Sequence, residues 1–373
     1  MRKYLVLLLV VFAAPAWASP PESAARNAIL IDVTNDTVLY DKGADERIPP
    51  ASMSKIMAGY MVFEALKSGR LTLDQKIHIS EHAWRTQGSK TFVELGNDIK
   101  AEDLIRGMAV QSGNDATVAL AEALFGTEAG YAAAATERGK QLGLRDTSYA
   151  NATGMPDAKH YSTVRDLATL AQHLMVDFPE YYHYYSEKEF TYHGITQQNR
   201  NPLLYMNVGA DGVKTGHTDE SGYCLIGSAV QNGRRLLLVV AGLPDEKARA
   251  DEAARLLQWG FSSTATFTFF KKGDEVDKLP VWLGTEPEVA LVTDRDITLS
   301  MMREAKADMK VEVKMKSPAP APIKAGQQLG VLSVTLPGQA AHEYPLLAKG
   351  DVAEIGFMAQ LMAKAHYFIL GGE

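Results

Sequence analysis

Tyr223-Cys224-Leu225-Ile226-Gly227-Ser228-Ala229-Val230-Gln231-Asn232-Gly233-Arg234-Arg235-Leu236-Leu237-Leu238-Val239-Val240-Ala241 consists of two apolar runs about an Asn-Gly pair. Asn and Gly tolerate the positive φ angles of a two-residue hairpin turn. Tyr223 to Val230 and Arg235 to Ala241 are therefore expected to be neighbouring antiparallel strands. Just upstream, Lys214-Thr215-Gly216 falls on a segment that feeds this hairpin. Near the N-terminus, Asn27 to Val33 and Thr37 to Asp41 read as two further strands joined by Thr34-Asn35-Asp36. Between these groups the period is helical. Ser52 opens a stretch with Met53, Ile56, Met57, Tyr60 and Met61 apolar, and Ala101 to Val110 forms another helix. Val118, Leu120 and Leu124 mark a third, Leu167 to Leu174 a fourth, and Asp245 to Trp259 a last one. Strands at both ends with helices between them predict an α/β (α+β) domain: one antiparallel sheet flanked by helices and assembled from distant parts of the chain.

The chain has 373 residues, room for two domains, and its apolar and charged fractions are those of a globular protein. Formal net charge is −7, and no basic stripe with interleaved aromatics occurs, which argues against nucleic acid as a partner. Arg2 and Lys3 precede an apolar run, Leu5 to Ala14, that is too short to span a bilayer, and Ala16-Trp17-Ala18 follows. This order is that of a cleaved signal, residues 1–18, so an exported protein beginning near Ser19 is expected. Cys224 is the single cysteine, so no intramolecular disulfide forms; export without disulfides suits a bacterial periplasm.

Past about Thr264 the composition changes. Short alternating segments such as Val289 to Val292 and Val311 to Met315 are separated by turn signals at Lys272-Gly273-Asp274, Pro318 to Pro322 and Pro337-Gly338. They predict a small all-β domain over residues 268–347, after a first domain over 25–262. The last segment, 350–373, places Ile355, Met358, Met362, Ala365 and Ile369 at helical spacing. Two readings stand for it: a helix packed on the β-domain, or an amphipathic helix in a membrane interface.

Three short strings carry the candidate chemistry: Ser52-Met53-Ser54-Lys55, Ser112-Gly113-Asn114 and Lys214-Thr215-Gly216. A serine hydroxyl is a weak nucleophile until a base takes its proton. Ser52 and Lys55, three apart on a helix, share a face. Lysine serves as a base only when its pKa falls, and burial or a second cation such as Lys214 lowers it. Ser112 and Asn114 lie at a break between two helices, where a hydroxyl and an amide can be aimed into a cleft or can simply cap a helix. On the strand, Thr215 offers a hydroxyl and Gly216 clearance. The backbone N–H groups of Ser52 and His217 are candidates for an oxyanion hole. His78-Ile79-Ser80-Glu81-His82 matches a zinc-peptidase string. Lys76 to Ile79 alternates like a strand, however, and Ser80 looks like a helix cap, so no metal or other cofactor is expected.

With these residues in hand, the chain resembles the D-alanyl-D-alanine carboxypeptidases, low-molecular-mass penicillin-binding proteins of the serine DD-peptidase family. The resemblance extends through Pro50 to Lys55, Val110 to Ala116, His160 to Asp166, Asp211 to Gly222 and Leu257 to Phe261. It implies a penicillin-binding/β-lactamase-like transpeptidase fold with a C-terminal β-domain. It implies that Ser52 is acylated, that Lys55 is the acylation base, and that Ser112 and Lys214 assist proton transfer. Asn114, Thr215, Gly216 and Arg249 would hold a peptidoglycan stem peptide ending in D-Ala-D-Ala, and β-lactam antibiotics would be covalent inhibitors. His217 stands where a threonine is frequent in the family and is read as lining the cleft. The implied location is the periplasm, peripheral on the outer face of the cytoplasmic membrane through the last helix. A DD-endopeptidase and a serine β-lactamase share the three strings, and a wall-binding scaffold would keep only the fold. The Glu-x-x-x-Asn string of the β-lactamases does not occur between Asn114 and Lys214, which favours the peptidase.

Overall fold

Five strands, β1 (Asn27–Asp32), β2 (Thr37–Lys42), β3 (Ala210–Thr218), β4 (Gly222–Gln231) and β5 (Arg234–Leu243), form a sheet in the order β2-β1-β5-β4-β3. Every neighbouring pair is antiparallel. Asn232 and Gly233 close β4 onto β5 with φ of 51° and 78°, the left-handed region these two residues tolerate. The computed structural model describes residues 21–336 and 341–370, so the expected signal segment, 1–18, lies outside the described residues.

The central strands show no hydrophobic alternation because both faces of the sheet are covered. Ile29, Ile31, Cys224, Ile226, Leu237 and Val239 face a cluster built from the helices between residues 55 and 177. Leu30, Leu225, Leu236, Leu238 and Val240 face Ala253, Leu256 and Leu257 of the helix Glu246–Ser263. Each fully buried Leu or Ile contributes about 1.5–3 kcal/mol, so this two-sided burial is the main support of the sheet. The helix Lys55–Lys67 is buried nearly all round, not amphipathic; Ile56, Met57, Gly59, Tyr60 and Phe63 are all covered. It is a central rod, and the residues just before it are held from several sides.

The remaining described residues, from Thr264, make a second unit. Thr264–Phe270 pairs with Ile297–Met302, and a six-stranded sheet runs from the edge strand Lys310–Met315 through Gln328–Thr335, His342–Ala348, Glu288–Thr293 and Glu275–Trp282 to Ala319–Pro320. Leu279, Leu291, Leu299, Leu332 and Leu346 fill its core.

The terminal helix spans Phe357–Leu370 and starts later than its apolar spacing suggests. Val352 is buried and bridges to Ile323, and the Ile355 N–H donates to the Leu283 carbonyl at 2.9 Å, so the chain stays extended up to Gly356. Phe357, Met358, Leu361, Met362 and Ile369 are 55–79% exposed, which removes the reading of a helix packed on the β-unit through this face. No helix among the described residues is long and apolar enough to cross a membrane.

Candidate active site

Ser52 does not open an α-helix, as its apolar spacing suggests. It lies in a single 3-10 turn, Ala51–Ser54, that leads into the helix at Lys55. In a 3-10 turn, residues three apart eclipse, which brings Lys55 over Ser52. The Lys55 Nζ donates to Ser52 Oγ at 2.8 Å and to the Thr153 carbonyl at 2.8 Å. Lys55 is fully buried. Burial, then the charges of Lys214 and Arg200, hold its pKa well below the usual lysine range.

The turn is strained and clamped on two sides. Ala51 has a φ of 48°, costly for a residue with a side chain. A Cβ on Gly154 would overlap the Ala51 carbonyl, so only glycine lets the 151–154 loop pass. On the sheet side, a Cβ on Gly216 would stand 3.2 Å from Ala51 Cβ, Met53 Cγ and the Pro50 oxygen. The clearance expected at Gly216 is thus already in use by the nucleophile turn itself.

Strand β3 is the edge of its sheet, with only β4 as neighbour, so its outer edge is available to an extended chain. Lys214, on this strand, is 2% exposed, and its Nζ reaches the Thr215 carbonyl at 3.3 Å. Burial, then Arg200 and Arg249, bring it down to about 7. Thr215 is buried beside it. His217 is exposed and stacks on its cross-strand partner Tyr223 at 3.9 Å between ring centroids. Arg249, from the helix Glu246–Ser263, lies 5.6 Å over the same Tyr223 ring.

Ser112 and Asn114 sit between the helices Ala101–Val110 and Asn114–Phe125. The positive φ, 66°, belongs to Ser112 and not to Gly113. Gly113 is needed for space instead, because a Cβ there would overlap Thr91 Oγ1. Asn114 Nδ2 donates to the Gln87 carbonyl at 2.6 Å. The buried Asp115 beneath it accepts the N–H groups of Thr91, Phe92 and Val93 at 2.8–3.2 Å and fixes that loop on the helix start.

Ser112 Oγ, Asn114 Oδ1 and Arg249 Nε are buried without a hydrogen-bond partner. An unsatisfied buried polar atom costs about 1–3 kcal/mol.

Four contributors escape the sequence reading: the Thr153 carbonyl, Gly154, His160 and Arg200. Arg200 is exposed, donates to Ser89 Oγ at 2.6 Å, and bears on both buried lysines. Nothing in its local pattern distinguishes it from a surface arginine. The zinc-like string gives two separated histidines: His78 ends the strand Lys76–His78 and contacts Asp98, whereas His82 lies in the helix Glu81–Arg85 capped by Ser80 and contacts Glu128.

With this geometry in view, residues 14–245 match the D-alanyl-D-alanine carboxypeptidase family, and residues 265–354 match the C-terminal domain of penicillin-binding protein 5. The chain belongs to the D-alanyl-D-alanine carboxypeptidase family. D-alanyl-D-alanine carboxypeptidase DacA of Haemophilus influenzae is 36% identical over 350 residues, covering 92% of this chain and 89% of that one. The crystal structure of penicillin-binding protein 5 from the same organism superposes with a TM-score of 0.79 at 35% identity, over 90% of this chain and 99% of that one. Penicillin-binding protein D2 of Listeria monocytogenes, solved with ampicillin bound, matches with a TM-score of 0.60 at 30% identity, over 65% of this chain and 99% of that one. The chain is accordingly a serine-type peptidase of the penicillin-binding fold, as its three strings suggested.

Proposed function

We propose that this chain removes the terminal D-alanine from peptidoglycan stem pentapeptides through an acyl-enzyme on Ser52, and that penicillin acylates the same atom. The contact of a fully buried Lys55 Nζ with Ser52 Oγ at 2.8 Å carries the reading. Neutral Lys55 takes the Ser52 proton as Oγ bonds to the carbonyl carbon of the penultimate D-alanine. The N–H groups of Ser52 and His217 receive the developing oxyanion, a contribution of about 3–4 kcal/mol per donor to the transition state. The C–N bond breaks, and the leaving amine of D-alanine takes a proton passed from Lys214 through Ser112. Water then attacks the ester carbonyl as its proton passes through Ser112 to Lys214, the C–O bond to Ser52 breaks as Oγ takes back its proton from Lys55, and the shortened peptide leaves. Asn114 holds the substrate backbone, which lies along the open edge of β3 past Gly216. Thr215 and Arg249 bind the terminal carboxylate, each charge-assisted bond contributing roughly 1.5–3 kcal/mol.

Mass spectrometry after penicillin treatment tests the assignment. One adduct on Ser52, absent from Ser52→Ala, together with D-alanine release from a pentapeptide, is expected. Rapid turnover of penicillin sinks the reading in favour of a β-lactamase; D-alanine released only from cross-linked dimers favours an endopeptidase; and unreacted wild-type protein leaves a scaffold.

The exposed apolar face of Phe357–Leu370 supports a second part of the proposal: the exported protein rests on the outer face of the cytoplasmic membrane through this helix. Deleting residues 349–373 should move the protein from the membrane fraction to the soluble fraction. An unchanged distribution refutes it.

A further inference from the structure

His160 is 4% exposed, and its two ring nitrogens have opposite assignments. The Ala150 N–H donates to Nδ1 at 3.2 Å, so Nδ1 carries no proton. Nε2 lies 2.7 Å from Ser54 Oγ, and that hydroxyl spends its own proton on the Ala51 carbonyl at 2.8 Å. Ser54 Oγ must therefore accept, and Nε2–H must donate. The two constraints are independent and select the same neutral tautomer. Burial, which pushes His160 down to about 4, agrees with it.

The end of this relay is a peptide plane. The Ala51 carbonyl and the Ser52 N–H belong to one planar trans unit and point in opposite directions. Holding the carbonyl towards Ser54 thus aims the Ser52 N–H the other way. Ala51 needs such a hold because its φ of 48° is unfavourable for alanine. The segment carrying His160 is itself anchored to the approach of the turn: Ile48 and Ser162 exchange backbone hydrogen bonds at 2.8 and 3.0 Å.

We propose that His160 is a positioning residue that sets the direction of the Ser52 amide through Ser54 and the Ala51 carbonyl, and so pre-forms half of the oxyanion hole. The inference rests on the acyl-enzyme reading above. It assigns work to a histidine that touches neither substrate nor the reacting atoms.

Two amides separate the two bonds. Gln places its Nε2 as many bonds from Cβ as the histidine Nε2, so His160→Gln keeps the donor to Ser54. Asn reaches only as far as Nδ1, so His160→Asn keeps the acceptor for Ala150 and loses the donor. With labelled penicillin and the full chain, His160→Asn and Ser54→Ala are each expected to acylate about 10–100-fold more slowly, below the 10²–10³ of a wholly lost donor. Non-covalent affinity should be unchanged, since the oxyanion exists only in the transition state. His160→Gln should be at least tenfold faster than His160→Asn at a similar melting temperature, and the double variant His160→Asn/Ser54→Ala no slower than the slower single one. Equal rates for the Gln and Asn variants, or multiplicative losses in the double variant, overturn the relay. Should His160→Asn not fold, Ser54→Ala decides, a wild-type rate refuting the relay. Wild-type protein that is not acylated overturns the acyl-enzyme reading first, and the relay with it.

Discussion

Gly154→Ala is the sharpest perturbation of the nucleophile turn because its cost divides into two parts. Gly154 has a φ of 84°, and any L-residue there adds about 1–2 kcal/mol of backbone strain. The added Cβ would also overlap the Ala51 carbonyl and stand 3.0 Å from the Ser52 nitrogen. Restoring an ordinary C···O contact of about 3.3 Å requires that carbonyl to retreat by more than ~1 Å. The same peptide carries the Ser52 amide, and a misplacement of about 1 Å in a reacting group costs roughly 10²-fold in rate. Gly143→Ala is the matched control: φ is 83°, and nothing lies within 4 Å of the new Cβ. Stopped-flow acylation by a fluorescent penicillin, with melting temperatures alongside, reads both parts. Both variants should lose stability from strain, and only Gly154→Ala should lose about 10²-fold in acylation. Acylation by Gly154→Ala within threefold of wild type, or an equal loss in Gly143→Ala, refutes the clamp.

Two further perturbations concern the buried cations. Arg200→Gln removes a positive charge that lowers both lysines, so the Lys55 pKa rises and neutral base becomes scarcer at a given pH; the acid limb of the acylation profile should move to higher pH, and a limb that stays or moves down contradicts the coupling. Lys214→Met removes a cation whose folded pKa, about 7, lies below its ordinary value near 10.5. The unfolded chain binds the extra proton between those values, so burying Lys214 costs on the order of a few kcal/mol at pH 7, less as pH rises towards 10.5. The variant should therefore melt higher than wild type at pH 7, with a gap that closes above pH 10, while acylation falls; a lower melting temperature at pH 7 refutes the assignment.

The sheet was legible because its signals are local: Asn232-Gly233 dictates a hairpin, and the apolar runs on either side are long enough to be buried on both faces. Ser52, Lys55 and Lys214 were legible because residue type and spacing restrict their chemistry. Turn geometry was less so. The 3-10 conformation of Ala51–Ser54 is imposed by Gly154, Gly216 and the Ser54 hydroxyl, two of them far along the chain. The positive φ at Ser112, beside a glycine that does not adopt one, is likewise not encoded by local residue type. Arg200 acts through space on two lysines, and no periodicity encodes that. The late start of the terminal helix follows from the bridge between Val352 and Ile323, a pairing between segments that periodicity within either one cannot reveal.

The strand order β2-β1-β5-β4-β3 has a consequence for how the molecule is made. Ser52 and Lys55 are neighbours in sequence and emerge early, between the β1–β2 pair and the first helices. Strand β1 gains its second partner only when β5 has been synthesised, and Lys214 reaches the nucleophile only on the edge of that completed sheet. Such distant pairings are slow to form. The reactive pair is therefore present in the nascent chain while the environment that turns a lysine into a base is not. Activation of the hydroxyl therefore waits on closure of the five-stranded sheet, however early in the chain the pair itself stands.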